Sequence, residues 1–143
     1  MKIRLMKIND YNQVHKLWCA TDGIGMRKLD DSYEGISKFL LRNPKTNFVV
    51  EKSNNIIGVI LCGHDGRRGH IYHMVVDKKY RKNGIGRLLL DTALNSLKEE
   101  GINKVALTAF CKNEIGNKFW ESVGFNKRDD LIYRNKSINT END

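Results

Sequence analysis

The segment "HIYHMVVDKKYRKNGIGRLLLDTALNSLKEEG", residues 70 to 101, limits the fold more than any other part of the chain. Its first part is a short apolar run ending at Asp77, the length and composition of a strand. From Ile85 the apolar period becomes helical, with Ile85, Leu88, Leu89, Ala93 and Leu97 on one face and Gly101 at the C′ position. A strand that passes into an amphipathic helix through a turn with two glycines requires a sheet with a helix laid across it.

The other segments fit the same class. Residues 2 to 8 read as an edge strand. Asn9 or Asp10 caps a helix whose Tyr11, Val14, Leu17 and Trp18 share a face, and a second helix starts near Ser32 and ends at Pro44. "NFVVEKSNNIIGVILCGHD" reads as two strands joined at Asn54-Asn55, residues that tolerate a tight hairpin turn. A strand over 103–110, a helix over 113–123 ended by Gly124, and room for two strands within 125–138 complete the chain. Residues 138–143 read as a frayed tail. The order β-α-α-β-β-β-α-β-α-β-β, without repeat or linker, predicts one domain over 1–143, an α/β or α+β fold with helices covering a mixed sheet.

The loop before the third helix is dense in cations: Lys78, Lys79, Arg81 and Lys82 precede Gly84 and Gly86. The start of a helix leaves backbone N–H groups without partners and carries partial positive charge. Lys82-Asn83-Gly84-Ile85-Gly86 offers an unbroken series of such donors, and the glycines let a ligand approach the backbone. A phosphate or pyrophosphate suits that arrangement. Two nucleotide motifs do not fit: Gly86 is followed by Arg87-Leu88 instead of Lys-Ser/Thr, and Leu89 stands where a dinucleotide fingerprint has Gly or Ala. From spacing alone, a solvated basic turn stays open as the other reading.

"MVVDKKYRKNGIGRLLL" resembles the acetyl-CoA signature of the GNAT superfamily of N-acetyltransferases, with its R/Q-x-x-G-x-G/A loop, and "NEIGNKFWESVGF" is similar to the same superfamily's Asn-containing helix. The resemblance covers roughly residues 47 to 125. It implies a mixed, mostly antiparallel sheet of six or seven strands with about four helices, splayed between its fourth and fifth strands. It implies that Met74, Val75 and Val76 pair with the pantetheine arm. Arg81, Lys82, Asn83, Gly84, Ile85, Gly86 and Arg87 would hold the pyrophosphate, and Asn113 would contact CoA. The implied activity is transfer of an acetyl group from acetyl-CoA, as co-substrate and without a metal, to a primary amine of a small molecule or protein.

The sequence departs from that pattern twice. Trp120 stands where relatives carry a tyrosine that protonates the departing thiolate; an indole cannot act as that acid. Its expected role is packing, with a hydrogen bond to ligand as the alternative. Tyr133 or water could replace the tyrosine. Thr108 stands where some relatives that acetylate protein N-termini have a glutamate. The general base is then sought on the strand beside the thioester, where His73 is the first candidate and Tyr72 the second. His70 and His73, three apart on a strand, point to opposite faces and make poor co-ligands for a metal. Cys111 has no sequence support beyond being a cysteine.

The formal net charge of +8 allows nucleic acid, an anionic surface or an anionic ligand as partner. No aromatic platform or helix-turn-helix pattern accompanies it, so nucleic acid is disfavoured against acetyl-CoA, and a CoA-binding protein without catalysis is the remaining rival. No apolar run is long enough for a membrane helix, and three isolated cysteines fit a reducing, cytoplasmic setting. A homodimer is left open. The acceptor amine is expected to meet residues 21 to 35 and the "GHDGRRG" turn, where Arg67 and Arg68 could bind an anionic group.

Overall fold

The computed structural model describes residues 1–143 as one five-stranded sheet with helices on both faces. The strands are β1 (Lys2–Leu5), β2 (Phe48–Lys52), β3 (Asn55–His64), β4 (Gly69–Val76) and β5 (Val105–Leu107). The helices are α1 (Tyr11–Cys19), α2 (Tyr33–Arg42), α3 (Ile85–Glu99) and α4 (Glu114–Ser122). Strand order follows chain order; the first three pairings are antiparallel and β4–β5 is parallel. No helix is long and apolar enough to cross a membrane.

Local chemistry explains most boundaries. Ser32 caps α2 by accepting from Gly35 N at 3.1 Å. Ser53 and Asn54 take positive φ in the β2–β3 turn, a conformation Asn tolerates well. Gly101 and Gly124, both at positive φ, follow Glu100 and Val123, the C-cap residues of α3 and α4. β3 is longer than β2, and its backbone beyond the reach of β2 is satisfied by buried polar side chains. Asn47 Oδ1 accepts from Cys62 N, Thr46 Oγ1 donates to Cys62 O, and Asn43 Oδ1 accepts from His64 N.

Two apolar layers sandwich the sheet. One, under α3, joins Val50, Ile57, Ile60, Cys62 and Ile71 to Ile85, Leu89, Leu90, Ala93 and Leu97. The other, under α1 and α2, joins Val49, Val59, Leu61 and Val75 to Val14, Trp18 and Ile36. Leu90, not Leu88, completes the buried face of α3, and Leu88 is exposed.

The end of the chain differs from expectation. Residues 125–138 form no strand, so the sheet has five strands instead of six or seven. "NKRDDLIYRNKSI" carries charges at both ends of its short apolar run; Leu131, Ile132, Tyr133 and Ile138 are all exposed. Residues 138–143 are not frayed either: a 3-10 turn over Thr140–Asn142, capped by Asn139, hydrogen-bonds back to the turn before α2.

Candidate active site

β4 and β5 pair only from Gly69↔Val105 to Ile71↔Leu107. Beyond that point they diverge, so residues 72 to 76 of β4 have no strand partner on that edge. A row of unpaired backbone groups in an extended strand is a template for another extended chain. Met74 and Val76 lie on the α3 side of this strand and Val75 on the other. The Arg81 side chain folds back so that its Nε donates to Val76 O at 3.2 Å.

A bulge sits where the divergence begins. Leu61 pairs with His73 and Cys62 with Ile71, so Tyr72 has no counterpart on β3. Alternation fails there, so Tyr72 and His73 both face the side of α1 and α2, and His70 and His73 share a face instead of lying on opposite ones as expected. Tyr72 packs edge-on against Phe39, with ring centroids 5.5 Å apart, and tilts against His70 at 4.6 Å. Partial burial raises its phenol above the ordinary value, and the nearby Asp30, Cys62, Asp65 and Tyr133 push in the same direction.

His73 is 9% exposed and lies edge-on to Trp18, with centroids 4.9 Å apart. Its Nε2 is 2.9 Å from Asp31 Oδ1. Asp31 is also buried: its Oδ2 accepts from Arg27 N at 2.7 Å, and its backbone carbonyl accepts from the Tyr11 hydroxyl. A carboxylate can only accept in that contact, so Nε2 is the donor and Nδ1 is the nitrogen outside the pair. Sequence reasoning did not find Asp31; an acid just before a helix cap in a polar loop gives no sign of a partner on a distant strand. The buried indole Nε1 of Trp18, beside His73, has no hydrogen-bond partner.

Asp77, at the end of β4, caps the 3-10 turn Lys78–Tyr80 by accepting from Lys79 N. Lys82 and Gly84 then take φ of 66° and 77°. These left-handed residues turn the chain so that α3 begins at Ile85. None of the backbone N–H groups from Lys82 to Arg87 donates to a protein acceptor. A Cβ at Gly84 would meet nothing within 4 Å, whereas one at Gly86 would touch Phe119 and Met74 at ordinary contact distance. The loop therefore presents free donors to open space at the positive end of a fifteen-residue helix. It suits a pyrophosphate.

Asn113 caps α4, its Oδ1 accepting from Gly116 N at 3.0 Å, while its amide lies against Gly23. Trp120 is partly buried against Phe119 and Phe125, at 5.1 and 5.2 Å between centroids, and its indole makes no hydrogen bond within the protein. Thr108 is exposed just beyond β5. Tyr133 is 69% exposed on the irregular segment after α4. The Asp65 carboxylate is tied to the backbone N–H groups of Arg67 and Arg68 in an exposed turn.

The sequence and fold match known proteins over nearly their whole length. The model of a family described as acetyltransferase (GNAT) matches residues 11–125. Acetyltransferase SG1711 of Sodalis glossinidius (strain morsitans) is 27% identical over 138 residues, 96% of each chain. The ribosomal-protein-alanine N-acetyltransferase of Brucella melitensis biovar Abortus 2308 superposes with a TM-score of 0.71 at 21% identity, covering 96% of this chain and 100% of that one. The aminoglycoside acetyltransferase meta-AAC0020, from an uncultured soil metagenomic sample and in complex with sisomicin, superposes with a TM-score of 0.74 at 20% identity, covering 96% of each. At these identities the two structures share the fold with this chain.

Proposed function

Because the chain belongs to the acetyltransferase (GNAT) family and is an acetyl-CoA-dependent acyltransferase, we propose that residues 1–143 act as one N-acetyltransferase domain on a primary amine. The unpaired edge of β4 beside the donor-rich start of α3 is the observation that carries this reading. Its backbone groups suit the amides of the pantetheine arm, with Met74, Val75 and Val76 as the pairing residues. The N–H groups from Lys82 to Arg87 would hold the pyrophosphate, and Arg81 and the neighbouring lysines would add charge. Asn113 would serve the cleft through its amide nitrogen, since its oxygen caps α4. Trp120 would line the cleft as packing.

Such a ligand sets its thioester near the bulge, against Tyr72 and His73. The amine nitrogen attacks the carbonyl carbon, the carbon–sulfur bond breaks, and the amine's proton leaves through water to a base. His73 Nδ1 is our candidate, with Asp31 holding the opposite nitrogen; Tyr72 is the alternative. The thiolate takes a proton from water or from Tyr133. A thiol's ordinary pKa of ~8.5 makes the thiolate a fair leaving group without a dedicated acid.

Two other acetyltransferases with this fold are described as acting on a ribosomal-protein alanine and on an aminoglycoside. Both kinds of amine belong in a screen that follows thiol release from acetyl-CoA. Acetyl-CoA should raise the melting temperature, with a stabilisation of ~2.7 kcal/mol at a hundredfold excess over its dissociation constant. ATP, NAD and short DNA should do much less. A larger shift with DNA and none with acetyl-CoA would sink the reading. With an acceptor in hand, His73→Ala should lower turnover ~10²-fold or more while leaving acetyl-CoA affinity intact. Wild-type turnover would pass the role to Tyr72.

A further inference from the structure

The loop between α1 and α2, residues 21–32, touches both lips of the gap between β4 and β5. On the β4 lip, Asp31 bonds His73. On the other lip, a Cβ added to Gly23 would come within 2.8 Å of the Asn113 amide, and one on Gly25 within 3.1 Å of the Phe110 ring. Residues 21–32 contain no helix or strand of their own. They are fixed by a residue far away in sequence. Asn142 Oδ1 accepts from Leu29 N at 2.9 Å and from Asp30 N at 2.8 Å, while its Nδ2 donates to Asp30 Oδ2 at 2.9 Å. Its backbone carbonyl accepts from Lys28 N at 3.1 Å. One side chain thus supplies an acceptor and a donor to consecutive residues, and Asp31 comes directly after them.

We propose that Asn142 is a positioning residue for acetyl transfer. Residues 139–143 clasp the turn at 28–30, hold Asp31 against His73, and so fix the loop over the thioester end of the gap. The loop shapes the acceptor side of the cleft and limits the access of water to the acetyl group. The proposal rests on the reading of this gap as the acetyl-CoA site. The clasp itself follows from geometry alone: hydrogen bonds pin a segment that has no regular structure, and loss of such bonds leaves local opening as the easiest motion.

Three variants of the full chain test it. Asn142→Ala removes every side-chain bond of the clasp. Asn142→Asp keeps an oxygen for the Leu29 and Asp30 amides but sets a carboxylate against Asp30. Ser137→Ala is the control, since Ser137 bonds only Asp143 in the same tail. The measurements are hydrogen exchange at the Leu29 and Asp30 amides, acetyl-CoA affinity by calorimetry, and thiol release from acetyl-CoA without amine. In that last reaction water is the nucleophile, the carbon–sulfur bond breaks, and acetate and the CoA thiol are released. Asn142→Ala should speed exchange at both amides about tenfold or more and raise amine-free thiol release severalfold, with affinity unchanged. Asn142→Asp should fall between it and the wild type, and Ser137→Ala should match the wild type. Unchanged exchange in Asn142→Ala overturns the clasp. Faster exchange with unchanged thiol release overturns its role in transfer. A wild-type chain that does not bind acetyl-CoA fails the underlying reading instead, and calorimetry tells the two apart.

Discussion

Gly84 and Gly86 look equivalent in a motif, yet they meet different constraints. Gly84 sits at φ 77° with open space around it, so an added methyl costs backbone strain and would project where a ligand approaches. Gly86 is inside α3, and a methyl there would rest on Phe119 and Met74 at 3.4 and 3.6 Å. Gly84→Ala should therefore cost the free protein about 1 kcal/mol and weaken acetyl-CoA by more than tenfold in calorimetry. Gly86→Ala should melt at or above the wild-type temperature, because alanine favours a helix interior by ~1 kcal/mol. If both lose stability equally, the left-handed turn at Gly84 is not what makes its glycine necessary. The same residues mark how far sequence carries: the spacing located the donor loop, but only coordinates distinguish a glycine required by φ from one that is merely tolerated. Asp31 and Asn142 gave no signal at all, because their partners are 42 and 112 or more residues away and neither lies in a motif.

Elements with a local cause were legible, and those defined by distant pairing were not. The helices began and ended within a residue or two of their capping signals, and the hairpin turned at Ser53-Asn54, one residue before the expected Asn54-Asn55. β5 is shorter than its apolar pattern suggested because only Gly69–Ile71 pairs with it. The expected final strands have strand-like composition but no ladder to join. The junction of β1 with the 3-10 turn before α1 makes a measurable prediction. Burial alone would raise the Asp10 carboxyl, but both oxygens accept from Arg4 and one also accepts from Lys7 N. Together these hold it below the ordinary carboxylate value. A depressed carboxylate adds stability above its unfolded pKa, and that stability is lost as pH falls through the folded value. The wild type should thus lose melting temperature steeply as pH drops from about 5 to 3. Asp10→Asn should melt lower at pH 7 and show a shallower acid slope. Parallel slopes would mean that Asp10 does not couple folding to protons.

At the scale of the whole molecule, one sheet serves two cores, and the cysteines report on both packing and exposure. Cys62 is fully buried beneath α3, and burial pushes its thiol up to about 12. Cys19 and Cys111 are exposed. Iodoacetamide at neutral pH should modify Cys19 and Cys111 in the native protein and reach Cys62 only with global unfolding, read by mass spectrometry. Rapid native labelling of Cys62 would mean that the α3 layer opens locally.

The bulge at Tyr72 also splits β4 into two phases. Before it, Gly69 and Ile71 answer to the α3 layer; after it, Met74 and Val76 do, so the odd-even rule reverses within one strand. Removing Tyr72 would leave every other β4 side chain on its present face while straightening the ladder to β3. A lost residue is therefore tolerable at Tyr72 or His73, which share a face, and would turn a buried row outward farther along the strand, where no bulge absorbs it. When chains of this kind are aligned, a single gap opposite Tyr72 is a change of curvature at the cleft, with the core left as it was.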